Sequence, residues 1–262
     1  AAEDETLHIT VTADHGTLSL VEPLLNKADQ DPEDSLSLSF DATLTDIHAA
    51  LAQVIAATGG RLDALFNNGA FACPGAVEDL PTDALRAIFE TNLFGQHELT
   101  RAVMSLVRAQ GHGRIVNCSS VLGLVGARWR GAYVATKFAM EGLSDVLRLE
   151  MHGTGIDIIL IEPGPIATRI RENAIPHFER WIDWRASARA AEYAPLLDRL
   201  YRPAAKKDRF ELAPSAVTAR LIHAIESPRP RARYHVTTPT RIADVLRRLL
   251  PTRALDAVLR RG

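Results

Sequence analysis

Short apolar runs alternate with longer stretches of helical periodicity along most of this chain, and that alternation constrains the fold more than any other feature. Strand–helix–strand order is typical of a parallel sheet, because parallel neighbours need a long crossover that is usually helical. The apolar runs predict strands at residues 7–12, 36–40, 62–66, 114–118, 156–161 and 232–236. Since neither an internal repeat nor a low-complexity linker interrupts the pattern, the sequence predicts one α/β domain over residues 1–262.

The segments between these strands predict helices. Apolar spacing predicts a first helix that begins near Leu44 and stops at Gly59 and Gly60. A second helix is predicted over residues 81–111 with a kink along its length, and a third over residues 131–151.

A long segment rich in aromatic side chains, residues 168–207, follows the fifth predicted strand. Folds of this class place substrate-binding lids in long insertions after the carboxyl end of a parallel strand, because ligands bind at that edge of the sheet. We therefore predict a lid here. The alternative is an aromatic patch that closes the core or forms a dimer contact. The aromatic residues are Phe178, Trp181, Trp184, Tyr193 and Tyr201.

Composition indicates a soluble protein of a reducing compartment. The 262 residues are 47% hydrophobic and 24% charged, and no apolar run approaches the roughly 18 residues of a membrane-spanning helix. The acidic first residues do not resemble a secretory signal, and Cys73 and Cys118 cannot form a disulfide framework. The histidines are scattered and neither cysteine belongs to a Cys-x-x-Cys pair, so we expect no metal site. The sequence predicts a cytoplasmic protein.

The net charge of −2 conceals two ends of opposite sign. Residues 1–46 carry eleven acidic residues and one basic residue, whereas residues 229–262 carry nine arginines and two aspartates. The basic end lacks an accompanying aromatic series, so we expect no nucleic-acid partner. Residues 239–262 instead predict two amphipathic helices on either side of Pro251. Peripheral membrane contact is one interpretation of these helices, and packing over the substrate pocket or a partner subunit is the simpler one.

The segment from Gly131 to Lys137 carries the most informative pair of side chains. Tyr133 and Lys137 are four residues apart, so on a helix they share one face and the ammonium can lie near the phenol. A neighbouring positive charge favours the phenolate and lowers the phenol pKa from its ordinary value near 10, which suits proton exchange near neutral pH. The alternative is an ordinary amphipathic helix face.

Other motifs accompany this pair. Residues 67–70 follow a predicted strand, Asn92 lies inside a predicted helix, Ser120 ends a strand thirteen residues before Tyr133, and residues 163–168 follow another strand. In this combination the chain resembles the short-chain dehydrogenase/reductase family, and most closely its branch of hydroxysteroid, retinoid and aldehyde reductases and dehydrogenases. The resemblance covers most of the chain. It implies a Rossmann-like, doubly wound parallel sheet, NAD or NADP as coenzyme, and a homo-oligomer.

The resemblance assigns a catalytic tetrad to Asn92, Ser120, Tyr133 and Lys137. It implies that Tyr133 is the general acid/base of a hydroxyl–carbonyl interconversion and that Ser120 holds the same substrate oxygen. Lys137 would tune Tyr133 and bind the nicotinamide ribose, and Asn92 would anchor a water that relays protons. The alternatives are a helix-kinking polar residue for Asn92 and a strand-end cap for Ser120.

The resemblance also implies coenzyme contacts besides those of Tyr133 and Lys137. Asp41 would meet the adenine amino group, although a helix cap is the alternative at that position. Asn67 and Gly69 would lie under the adenosine ribose. The positions that would flank the nicotinamide are Pro163, Gly164, Ile166 and Thr168.

The first forty residues depart from the family pattern. Family members hold the pyrophosphate at a helix N-terminus with a glycine-rich loop, but residues 13–19 contain only Gly16. The 29 residues that follow Thr12, up to Asp41, cannot hold two helices and two strands, so we predict that the second strand is missing or remade. Lys27 is the single cation in this acidic segment, which makes NAD electrostatically easier to bind than NADP. Members of the branch often use NADP, so the choice stays open.

Two classes of function follow from these observations. The first is an NAD(P)-dependent oxidoreductase that acts on a hydroxyl or carbonyl group of a fairly apolar small molecule. The second is a non-catalytic binding or scaffold protein on the same fold, whose dinucleotide binding the altered first segment impairs. We favour the first class because the tetrad is complete.

Overall fold

Seven strands form a single sheet in this protein. The structure is a computed structural model that describes residues 8–12, 17–21, 36–39, 44–201 and 209–260. The strands are β1 (His8–Thr12), β2 (Thr17–Val21), β3 (Leu36–Ser39), β4 (Ala64–Asn67), β5 (Gly113–Cys118), β6 (Ile156–Glu162) and β7 (Arg233–His235). Their order across the sheet is β3-β2-β1-β4-β5-β6-β7.

The sheet is parallel from β1 to β7 and antiparallel at its other end. β1 pairs in parallel with β4, and the ladder continues in parallel through β5, β6 and β7. β2 pairs antiparallel with both β1 and β3. The six predicted strands are present, and the α/β fold with a remodelled N-terminal region is confirmed. The second strand is remade as an antiparallel neighbour of β1. Four residues separate β1 from β2, which is fewer than a helical crossover needs.

Nine α-helices accompany the sheet within the described residues. They are α1 (Leu44–Ala57), α2 (Thr82–Phe89), α3 (Gly95–Gln110), α4 (Gly131–Glu150), α5 (Ile170–Trp181), α6 (Ala194–Tyr201), α7 (Ser215–Glu226), α8 (Thr238–Leu249) and α9 (Thr252–Leu259). A π-helical turn, Glu90–Phe94, joins α2 to α3 and accounts for the predicted kink. Gly111 ends α3 in the left-handed conformation, with φ of 72°.

The core has three parts, and one of them lies over the carboxyl edge of the sheet. Every residue of β4 is buried, and so is every residue of β6 except Asp157. Buried and exposed residues therefore do not alternate along these strands, as expected for central strands of a parallel sheet. One apolar cluster packs α1 and α3 on the sheet, and another packs α7 against β4 to β7. The third contains Tyr133 with side chains of α5 and α6. This third cluster surrounds the candidate site.

Among the helices of the described ranges, none combines the length and apolar character that crossing a bilayer requires. The basic C-terminal region does form the two predicted helices, α8 and α9, which Pro251 separates.

Candidate active site

The predicted proton-transfer pair lies on one face of α4, near its first residue. Tyr133 and Lys137 are both buried, with 8% and 1% of their surface exposed. The Lys137 Nζ lies 5.5 Å from the centroid of the Tyr133 ring, and it donates a hydrogen bond of 2.7 Å to the carbonyl oxygen of Cys118. The spacing of four residues therefore brings the ammonium close to the phenol, and the end of β5 holds the ammonium in place.

Ser120 lies two residues beyond β5, at the carboxyl edge of the sheet. Its Oγ accepts a hydrogen bond of 3.1 Å from the backbone N–H of Leu122 and so caps the short 3₁₀ turn Val121–Gly123. The same hydroxyl hydrogen-bonds the phenol of Tyr133. Ser120 thus serves as a cap and also contacts Tyr133, so the two interpretations of the sequence do not exclude each other.

Asn92 lies in the π-helical turn and is completely buried. Its Oδ1 accepts a hydrogen bond of 3.0 Å from the N–H of Phe71, and its Nδ2 donates to the carbonyl oxygen of Phe71 at 2.9 Å. Nδ2 also lies 3.2 Å from Oγ1 of Thr136, whose hydroxyl donates to the carbonyl oxygen of Tyr133 at 2.8 Å. Asn92 therefore ties the loop after β4 to the first turns of α4, which carry Tyr133.

Burial dominates the ionisation of the central pair. Burial raises the pKa of Tyr133, whereas the hydrogen bond from Ser120 and the charge of Arg130 lower it to a smaller extent. Burial also lowers the pKa of Lys137, because a desolvated ammonium is disfavoured. The direction for Tyr133 is opposite to the one expected from the Tyr–Lys spacing, since desolvation of the phenolate outweighs the hydrogen bond from Ser120 and the charge of Arg130.

The loop after β6 runs beside Ser120. The carbonyl oxygen of Pro163 accepts a hydrogen bond of 2.7 Å from the N–H of Val121, which follows Ser120 directly. Gly164 packs so closely against the hydroxyls of Thr237 and Thr240 that a side chain has no room there.

Ile166 and Thr168 continue this loop. A bridge joins Ile166 to Leu212, and Thr168 is exposed. Four positions that the resemblance assigns to the nicotinamide, namely those at 163, 164, 166 and 168, therefore lie in one loop, and Pro163 brings the start of this loop next to Ser120.

The remaining residues predicted to contact the coenzyme, Asn67, Gly69 and Asp41, differ in their surroundings. The side chain of Asn67 is completely buried, and its Nδ2 donates to Thr100 Oγ1 at 3.0 Å and to Asn117 Oδ1 at 2.8 Å. Its amide nitrogen therefore crosslinks β4, β5 and α3. Gly69 accepts a hydrogen bond from Gln96 through its carbonyl oxygen. Asp41 lies outside the described residues.

The aromatic segment after Thr168 packs into the protein. Tyr193 is fully buried, and its hydroxyl donates to Asp79 at 2.6 Å and accepts from the N–H of Ala76 at 3.0 Å. Its ring lies 4.8 Å from that of Trp129 and 6.3 Å from that of Phe178. The segment closes an apolar cluster next to Tyr133, as the aromatic-patch alternative requires. A lid role for residues 168–207 stays a prediction.

A buried network of ion pairs next to the loop after β6 was not predicted from the sequence. Glu162, the last residue of β6, is completely buried, and the guanidinium of Arg233 bonds to Glu162 and to Glu141. The same guanidinium contacts Asp145 at 2.6 Å, and Nε2 of His235 lies 2.8 Å from the Glu162 carboxylate. A glutamate and an arginine inside otherwise apolar strand patterns are the sequence signal that could have indicated this network.

Burial, reinforced by the charge of Glu141, raises the pKa of Glu162 to about 7, although Arg233 opposes the shift. A carboxyl with a raised folded pKa contributes stability that is complete below its unfolded pKa and is lost as the pH rises through the folded value. We therefore expect wild-type unfolding free energy to fall between pH 5 and pH 8 by on the order of 2 kcal/mol more than that of Glu162→Gln.

Urea denaturation at both pH values measures this difference. The pKa of His235 is lowered, chiefly by burial, so His235 acts in the opposite sense. Because His235 contacts Glu162, the variant His235→Gln and the double variant Glu162→Gln/His235→Gln are measured as well, and their difference isolates the contribution of Glu162. Equal pH slopes in the two proteins would refute an ionisable Glu162.

Known proteins resemble this chain over most of its length. The family model for short chain dehydrogenase matches residues 8–177. The uncharacterized oxidoreductase YbbO of Escherichia coli is 36% identical over 87% of this chain and 81% of that protein. Retinol dehydrogenase 8 of Homo sapiens is 31% identical over 70% of this chain and 59% of that protein. The crystal structure of a short-chain dehydrogenase from Streptomyces avermitilis, 27% identical, matches 84% of this chain and 75% of that one with a TM-score of 0.64.

Proposed function

We propose that this chain, which belongs to the short-chain dehydrogenase/reductase family, interconverts a hydroxyl and a carbonyl group on a fairly apolar small molecule. In this proposal Tyr133 is the general acid/base. As a family member it is an oxidoreductase that acts on alcohol or carbonyl groups with NAD or NADP. The single observation that carries the proposal is the contact of Tyr133 with Ser120 beside the ammonium of Lys137.

The residues near Tyr133 fit the nicotinamide half of such a coenzyme. Lys137 reaches the carboxyl edge of the sheet, where its ammonium can bind ribose hydroxyls, and the loop of Pro163 to Thr168 offers backbone groups and a hydroxyl beside it. When bound, the coenzyme supplies or accepts the hydride. The phosphate half must be held without a helix between β1 and β2, because only four residues join them.

The chain's own groups handle the substrate oxygen. In the reductive direction the Tyr133 hydroxyl gives its proton to that oxygen, and in the oxidative direction the phenolate removes the alcohol proton. The Ser120 hydroxyl donates a hydrogen bond to the same oxygen and fixes its distance from Tyr133. Burial of Tyr133 keeps water from competing for the proton. Asn92 holds the backbone around Tyr133 through Thr136 and is a positioning residue in this scheme.

Coenzyme titration tests the proposal and its alternative. We expect NADH or NADPH to bind, but with an affinity about 5- to 30-fold below that of family members with a glycine-rich loop, because that loop's helix N-terminus contributes ~1–2 kcal/mol. Nicotinamide fluorescence on titration with each coenzyme gives the affinity. A dissociation constant of about 1 µM or lower would contradict our interpretation of the altered loop. Absence of binding by either coenzyme would favour the non-catalytic binding protein.

Exposed apolar side chains on α4 and α8 support two further parts of the proposal, a homo-oligomer and a contact made by the basic C-terminal helices. Leu143, Val146 and Leu149 of α4 expose apolar side chains, which favours a homo-oligomer. On α8, Ile242 and Val245 expose apolar side chains beside arginines, which suits either a partner subunit or peripheral membrane contact. Cytoplasmic localisation and a lid over residues 168–207 complete the proposed function.

A further inference from the structure

A small polar cavity lies beside β7, the strand at one end of the sheet. Its volume is about 190 Å³, and α7 and α8 each contribute one side chain to its wall. Six described residues line the cavity, of which four are arginines and none is aliphatic. They are Arg220, Arg231, Arg233, Tyr234, His235 and Arg241. Pockets for drug-sized molecules are lined mainly by hydrophobic side chains, so this cavity suits a small charged ligand instead.

The positive charge of this cavity is only partly neutralised. Arg233 pairs with the carboxylates of Glu141, Glu162 and Asp145. In the part of the chain that the structure describes, by contrast, no carboxylate lies within ion-pair distance of the other three lining arginines, at positions 220, 231 and 241. Arg220 is half-buried. Guanidinium groups that share a cavity repel one another unless an anion compensates their charge, so the cavity favours an anion.

The backbone of β7 adds hydrogen-bond donors to this wall. β7 pairs with β6 on one side, and among the described strands none pairs with its other side. The carbonyl oxygen of Ala232 and the N–H of Val236 both bond to β6. Backbone groups alternate in direction along a strand, so the N–H groups of Arg233 and His235 point away from β6. Unpaired N–H groups at the edge of a sheet form anion-binding concavities.

Tyr234 fixes the turn that enters β7. Its hydroxyl accepts a hydrogen bond of 3.0 Å from the N–H of Arg231 and lies 2.8 Å from Nδ1 of His223 on α7. The backbone that carries Arg231 is therefore tied to α7, while the Arg231 side chain stays exposed. A wall that is held in place before the ligand arrives loses less conformational freedom on binding.

We propose that this cavity binds a phosphate group. A phosphate monoester carries a charge of about −1.5 to −2 at pH 7 and three acceptor oxygens, whereas a carboxylate carries one charge and two oxygens. Guanidinium groups bind phosphate through paired hydrogen bonds. Three arginines without carboxylate partners therefore fit phosphate better than carboxylate. The cavity is also smaller than the roughly 300 Å³ at which pockets for drug-sized ligands begin, so it accommodates the phosphate and not a whole dinucleotide.

This site is separate from the positions predicted to hold the coenzyme. The segment predicted to hold the pyrophosphate, residues 13–19, follows β1, and the strands β4, β5 and β6 lie between β1 and β7. The inference is therefore independent of the proposed oxidoreductase activity, and either can fail without the other.

Calorimetric titration with inorganic phosphate, in a buffer without phosphate, measures this binding. We expect wild type to bind phosphate with a dissociation constant of about 1 mM or lower and to bind acetate at least about tenfold more weakly. The double variant Arg220→Ala/Arg241→Ala should lose at least about tenfold in phosphate affinity, because each change removes a charged hydrogen-bond donor. Saturating NADH or NADPH should change phosphate affinity by less than about twofold, since the coenzyme does not occupy the cavity.

Two further variants complete the test. Arg86→Ala/Arg253→Ala removes the same charge from exposed positions on α2 and α9, and it should keep phosphate affinity within about twofold of wild type. Arg220→Lys/Arg241→Lys keeps the charge without the paired hydrogen bonds and should lose at least about threefold, which decides the question if the alanine variant does not fold. Absent phosphate binding, equal binding of acetate, or equal affinities in the cavity variants and the control would overturn the proposal.

Vesicle sedimentation distinguishes a free phosphate compound from a lipid headgroup, which shares the same chemistry. The vesicles consist of phosphatidylcholine with or without phosphatidic acid. Sedimentation that requires phosphatidic acid and is lost in Arg220→Ala/Arg241→Ala would assign the phosphate to a lipid headgroup. Phosphate binding in solution without such sedimentation would assign it to a free compound.

Discussion

Tyr133→Phe should lower kcat by about 10²- to 10⁴-fold, because it removes the one hydroxyl that can exchange a proton with the substrate oxygen. The ring of Phe fills the same buried space, so the apolar cluster around position 133 stays packed. Coenzyme affinity should change by less than about threefold, since Lys137 keeps its hydrogen bond to the Cys118 carbonyl oxygen. Steady-state kinetics on an aldehyde and steroid panel, with parallel coenzyme titration, measures both quantities.

Tyr201→Phe is the matched control for this change. Tyr201 also belongs to the wider site region, but its side chain is exposed and its hydroxyl donates to Glu179 at 3.0 Å. Its loss should leave kcat within about twofold of wild type. A Tyr133→Phe enzyme that keeps more than a tenth of wild-type kcat would remove Tyr133 from the chemistry.

Arg233→Met should produce the largest loss of stability, about 3–5 kcal/mol at pH 8. The substitution keeps an apolar stem of similar length but leaves Glu162 and Glu141 without their shared cation, and these two side chains are 0% and 7% exposed. Burial without a neighbouring cation disfavours the ionised form of a carboxyl group, so the pKa values of Glu162 and Glu141 should rise and both groups should protonate as the pH falls. The loss should therefore be smaller at pH 5.5 than at pH 8, which urea denaturation at the two pH values can measure.

An exposed ion pair provides the comparison for Arg233. Arg86 and Asp83 lie 2.8 Å apart on α2, and both side chains are more than 70% exposed. Arg86→Met should cost less than about 1 kcal/mol, with little dependence on pH in this range. Equal losses in Arg86→Met and Arg233→Met would show that burial of the network adds nothing to its contribution.

The sequence was sufficient for most of the parallel sheet and for the centre of the site. Strands that are buried on both faces can be recognised in the sequence as continuous apolar runs. Glycines at helix ends, such as Gly111, stop the helices where predicted. A Tyr and a Lys four apart must share a helix face once the helix exists, which is why Tyr133 and Lys137 could be paired in advance. Local periodicity therefore predicts which elements form and which side chains share a face of one element.

Features that depend on distant parts of the chain could not be predicted in the same way. β2 was missed because an antiparallel neighbour of β1 is chosen by pairing and not by periodicity. The pairing of Glu162 with Arg233 joins residues 71 positions apart, and no local pattern couples them. The direction of the Tyr133 pKa shift was also wrong from sequence, because desolvation depends on side chains of α5 and α6 that the spacing does not reveal.

The π-helical turn between α2 and α3 constrains how this chain can evolve. A π turn accommodates an extra residue, and removing one between Glu90 and Phe94 would rotate all of α3 by about 100° relative to α2. Gln96 and Thr100, which now bond to Gly69 and Asn67, would then face elsewhere. Substitutions on the exposed face of this helical pair should cost less stability than such a deletion. Insertions and deletions there should be purged by selection, so homologues can diverge in composition along this stretch but must retain its length.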